Sequence, residues 1–178
     1  MRVSVPTARA SRAALFALVG LVFFLHWTLA DPSYKASESQ DDWSFVLGFS
    51  AAILLLGFAI PVFAQLVGRR LVFRMSLIPA GGAVLASLSN LLEDGLHMDW
   101  AFFGFVLGSG IILLGLLALT GAIALGGRES HRYFSLIPAG TMAALIFYVT
   151  AGGILMLATW LAASAVVLVL PTGTAAQT

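Results

Sequence analysis

The densest group of side chains with chemical capability is Asn90, Glu93, Asp94 and His97. On a helix advancing about 100° per residue, these four positions fall within roughly 100° of one another and share a face. Carboxylates and an imidazole at such spacing hold a divalent cation or pass protons. Glu93, Asp94 and His97 are therefore the candidate metal ligands, with Asn90 and His26 as further members of the same polar site. Gly95 opposes this geometry, because glycine commonly ends a helix and would put His97 into a turn. The competing reading is a solvated loop. His26, next to Trp27, is the other imidazole that could reach this depth, and paired histidines can ligate haem. With three histidines in the chain and His131 placed on the opposite side, no haem is expected, nor any other cofactor.

The remaining motif search excludes more than it finds. The chain has no cysteine, which rules out disulfides, thiolate zinc sites and iron–sulfur clusters. It contains no GxxxxGK[ST], HExxH or GxSxG signature, and no strand-borne GxGxxG. What it does contain is a repeat. Ser76-Leu77-Ile78-Pro79-Ala80-Gly81 recurs as Ser135-Leu136-Ile137-Pro138-Ala139-Gly140, 59 residues later. A serine three residues before a proline reads as a helix start at which the ring forfeits no hydrogen bond. The small residues behind it read as a helix-packing surface, with Gly81 and Gly140 at equivalent contacts. Matching Pro/Gly elements in two repeats also fit a substrate path. Gly104 and Gly108 form a GxxxG element, a second packing signal. Asp42-Trp43 and Asp99-Trp100 read as aspartate caps beside interfacial tryptophans.

These residues have to be positioned by something, and composition says what. Hydrophobic residues make up 60% of the chain and charged residues 10%, with a mean hydropathy of +1.01. A soluble domain carries roughly a quarter charged residues. Five stretches lack any charge: Ala13–Ala30, Trp43–Gly68, Met75–Leu92, Trp100–Gly127, and Tyr133 onward. Each is long enough to cross a hydrocarbon layer roughly 30 Å thick. The gaps alternate in sign. Eight of nine Lys/Arg fall on one side, Lys35 being the exception, and seven of eight acids fall on the other, Glu129 being the exception. The positive-inside rule then puts the N-terminus in the cytoplasm and the protein in the plasma membrane as a multi-pass protein.

Tyr133–Leu170 would be roughly 57 Å long as one helix, too long for a single crossing. Ala151-Gly152-Gly153 offers a turn, which gives six spans; an unbroken helix gives five. The first span also resembles a signal peptide through Arg2, Arg9 and Arg12, although its long apolar run favours retention. The expected fold is an all-α integral membrane protein, a bundle of five to six transmembrane helices built from repeated hairpins. Hairpin A covers about 13–67, hairpin B about 74–126 and hairpin C about 133–170, with a flexible tail at 171–178. Expected partners are the lipid bilayer and other integral membrane proteins or further copies of the chain, and no nucleic acid. Three functions remain open: a non-catalytic accessory or scaffold subunit, an oligomeric transporter or channel, and an enzyme using the Glu/Asp/His group.

Overall fold

A computed structural model describes residues 5–29, 43–126 and 132–169. The segments around Asp31–Asp42 and Arg128–His131, and the tail at 171–178, lie outside the described residues. The elements are α1 (Val5–Leu29), α2 (Trp43–Leu66), α3 (Arg70–Asn90), α4 (Ala101–Gly126), α5 (Leu136–Ile146) and α6 (Gly153–Val169). A π turn, Leu91–Gly95, extends α3; a 3₁₀ turn, Tyr133–Ser135, leads into α5; a second π turn, Tyr148–Gly152, joins α5 to α6. No strand occurs among the described residues. Five helical segments are long and apolar enough to cross a membrane: 7–29, 45–66, 70–95, 101–126 and 148–169. The sixth, Tyr133–Ile146, is apolar but spans only about 21 Å at 1.5 Å per residue.

Hairpin C therefore divides at Phe147–Gly152, beside the Ala-Gly-Gly turn signal, and Trp160 lies within α6. The fold-back is visible in the packing of Gly140 against Thr159. Each helix packs on its neighbours in sequence, and α6 packs on α1. Ser164 Oγ donates to the Ala13 carbonyl (2.9 Å), and a Cβ added at Gly20 would touch Leu157. The chain thus closes on itself. Its centre is filled by aromatic rings from different helices: Phe16 stands 6.2 Å from Phe63 and 5.3 Å from Trp160, and Phe63 6.0 Å from Phe134.

The backbones of α3 and α4 come into direct contact. A Cβ placed on Gly108 would lie 2.6 Å from the Ala86 amide nitrogen and 2.8 Å from the Gly82 carbonyl oxygen. One turn before it Gly104 faces Ser89, and about two turns after it Gly115 faces the Pro79 ring. The Gly104/Gly108 element therefore packs inside the bundle, against Gly82, Ala86 and Ser89 of the preceding helix. Van der Waals contact at this range is the main attraction available between helices in an apolar solvent.

The helix-start reading of the hexapeptide fails for the first copy, and in the second Ser135 already has helical backbone angles at the end of the 3₁₀ turn. α3 begins at Arg70, immediately after Gly68 turns the chain with φ +71° and Arg69 extends it. Ser76 and Pro79 consequently lie inside the helix. The Pro79 ring takes the place of an amide hydrogen that would have bonded to the Met75 carbonyl, and the glycine opposite makes room for it. In the second copy α5 starts at Leu136, with Ser135 in the cap position and Pro138 in the first turn, where proline forfeits nothing. Neither serine makes a cap bond. Both instead donate to the carbonyl three residues back, Ser76 to Phe73 and Ser135 to Arg132, each at 2.6 Å.

The expected equivalence of Gly81 and Gly140 also fails. Gly140 packs on Thr159, whereas a Cβ at Gly81 would meet nothing within 4 Å. The close contact belongs to Gly82, whose added Cβ would lie 2.8 Å from the Gly108 oxygen. One residue is 100° of rotation, enough to move a position from the inside of a helix pair to its outside.

Candidate functional site

Asn90, Glu93, Asp94 and His97 do not share a face. Asn90 ends the regular part of α3 and is buried; its side-chain amide donates to Ser50 Oγ on α2 (3.0 Å). Ser87, one turn earlier, donates to the Ser50 carbonyl (2.9 Å). Asn90 is thus one member of a buried link between α2 and α3, where a polar side chain needs a partner. Past Asn90 the helix widens into the π turn, so the regular 100° step on which the shared face rested does not hold for Glu93 and Asp94. Gly95 packs against the Trp43 ring. Met98 N–H closes the end by donating to the Leu92 carbonyl (2.9 Å).

His97 leaves the helix in the left-handed region, φ 55°, and is exposed. Glu93 and Asp94 are partly exposed. Glu93 lies within electrostatic reach of Asp94 and Asp99, and Asp94 within reach of His97. Among the described residues no three His, Asp or Glu side chains come together as a metal-ion site. Glu93, Asp94 and His97 form a charged rim at the end of α3, without the convergence that coordination requires.

His26 does not join this rim. It is buried and hydrogen-bonded through Nδ1 to the Tyr148 hydroxyl, in the α5–α6 turn. Phe45 and Phe49 surround it, with ring centroids 4.4 and 5.3 Å away, and a Cβ at Gly48 would sit 3.2 Å from its ring. Phe49 also stacks near Tyr148 and Phe105, at 5.7 and 6.2 Å. The imidazole and phenol therefore fasten α1 and the last hairpin to α2. Tyr148 carries no sequence signal that would single it out, since the contact depends on where the last hairpin turns.

At the opposite end, Arg69 Nη1 donates to the Ala122 carbonyl (2.9 Å), with its guanidinium lying over Gly126. A cation there bonds a carbonyl near the C-terminal end of α4 and complements the helix dipole. Arg69 accordingly has a structural partner besides its charge-sidedness role.

Polar groups in this bundle therefore tie helices together at its two ends. No family profile, curated protein or solved structure matches the chain. Five helices long and apolar enough to cross a membrane, in an all-helical bundle, are compatible with a multi-pass membrane protein.

Proposed function

We propose that this chain is a multi-pass membrane protein acting as a non-catalytic scaffold or accessory subunit, with its arginine-bearing ends in the cytoplasm. The observation that carries this reading is the filled centre. Phe63, Leu116, Leu119, Pro138, Thr141 and Trp160 meet there with no space for a water molecule. A solute path through one copy needs polar groups along a cavity, whereas here aromatic rings from α1, α2, α6 and the 3₁₀ turn before α5 fill the centre. The buried polar side chains Ser50, Ser87, Asn90 and His26 are engaged with other helices. The outward surface is apolar, with Phe58, Phe103, Leu114 and Leu117 all exposed, which suits lipid or the helices of a larger partner.

Two experiments test this reading. The chain has no cysteine, so single cysteines report sidedness cleanly. A Met98→Cys variant in intact cells will react with an impermeant maleimide, and a Ser130→Cys variant will react only after permeabilisation; the reverse pattern overturns the orientation. Purified in mild detergent, the protein will elute with larger membrane proteins at fixed stoichiometry, and vesicles containing it alone will stay tight to protons and potassium. A homo-oligomer that conducts would put the transporter reading in its place.

A further inference from the structure

Between α2 and α3 the outer surface carries a groove of about 310 Å³, lined by Gly57, Phe58 and Pro61 of α2 and by Leu77, Gly81 and Val84 of α3. Its floor is open at Gly81, where an added Cβ would meet nothing within 4 Å. The α3 side of the groove continues a stripe that begins with Arg70 and Arg74. Positions 70, 74, 77, 81 and 84 follow three- and four-residue steps and share one face, and both arginines are exposed. On α2 the stripe through Phe58 and Pro61 ends in exposed Gln65. The register fixed by Ser87 on Ser50 and by Ala80 beside Gly57 brings Gln65 within a turn of Arg74. One end of the groove is therefore cationic and hydrogen-bonding, and the remainder is apolar.

The dimensions match one class of molecule. Arg74 to Val84 covers about 15 Å of helix, half of a hydrocarbon layer roughly 30 Å thick, which is the depth of one leaflet. We propose that this groove is a binding site for an anionic phospholipid, its phosphate held by Arg70, Arg74 and Gln65 and one acyl chain lying along Leu77, Gly81 and Val84 beside Phe58 and Pro61. The proposal rests on the membrane reading above. On that reading the arginines face the leaflet that carries most of the anionic lipid. A second copy of the chain suits the groove less well, because two-fold pairing through it would bring four arginines together at one end.

The test uses the full chain in detergent, titrated with phosphatidylglycerol or with phosphatidylcholine of the same acyl chains and followed by native mass spectrometry and thermal melting. The wild type will retain phosphatidylglycerol and melt higher with it than with phosphatidylcholine. Arg70→Gln and Arg74→Gln will each weaken retention roughly fivefold, from about 1 kcal/mol of attraction per basic residue. Gly81→Leu, whose Cβ has open space and whose longer side chain occupies the groove, will abolish retention while leaving the lipid-free melt unchanged. Equal retention of the two lipids overturns the proposal, as does retention that survives Gly81→Leu. A dimer that Gly81→Leu dissolves overturns it in favour of self-association. Carbonate extraction of membranes separates the two levels. Protein released by carbonate contradicts membrane integration itself, whereas protein that stays in the pellet yet shows no lipid preference contradicts the lipid site alone.

Discussion

Replacing Gly108 with leucine will separate α3 from α4 and lower the melting temperature sharply. The alanine variant already places a Cβ 2.6 Å from one backbone atom and 2.8 Å from another. Backbone cannot swing aside as a flexible side chain does, so the helices must part. Overpacking of a well-fitted contact costs about 1–3 kcal/mol, against about 0.5–1 kcal/mol gained from the better helix propensity of alanine. Gly108→Ala will therefore destabilise and Gly108→Leu will do so severely. At Gly110 and Gly121 nothing lies within 4 Å of the added carbon, so alanine there will be neutral or stabilising. The adjacent pair gives the sharpest comparison: Gly82→Ala will lower the melt and Gly81→Ala will not. Equal behaviour of Gly108 and Gly110 would mean that the α3–α4 contact is not the one described.

Trp160→Ala is expected to produce the second large effect. Trp160 is 1% exposed and packs against Phe16 and Phe63 on two other helices. Truncating a buried Trp to Ala costs about 3–5 kcal/mol, depending on how far the site collapses. Trp100, at 67% exposure, has no such contacts to lose, and Trp100→Ala will shift the melt far less. The Trp160 indole N–H has no hydrogen-bond acceptor among the described residues. Trp160→Phe will therefore retain most of the stability, since it gives up ring area without breaking a bond. The check is thermal melting of the three variants in one detergent. A Trp160→Phe variant as damaged as Trp160→Ala would point to a polar role for the indole.

What could be read from the residues alone followed the strength of the local signal. The charge-free stretches gave the long helices, because 18 or more apolar residues leave few alternatives. Ala151-Gly152-Gly153 pointed to a break in the last stretch, but the break falls at Phe147, and the three small residues continue the helical path into α6. The GxxxG spacing identified Gly104 and Gly108 as a packing face, though not which helix they would meet. The polar residues were less legible. The grouping of Asn90 with Glu93 and His97 assumed a regular 100° step that the π turn interrupts. His26 was matched to Glu93 by depth, but its partner came from Tyr148, 122 residues away. Ser76 read as a helix start because the preceding arginines looked like loop. Their long aliphatic stems are compatible with a helix that simply begins earlier.

The hydrogen bond from Ser164 to the Ala13 carbonyl joins residues 151 positions apart. A ribosome delivers this chain in order, so α1 emerges long before the helix that will cover its inner face. Until α6 arrives, Phe16 and Phe23 have no Trp160 or Tyr148 to meet. Closure therefore waits for α6, and damage to that helix uncovers the inner face of α1 as well.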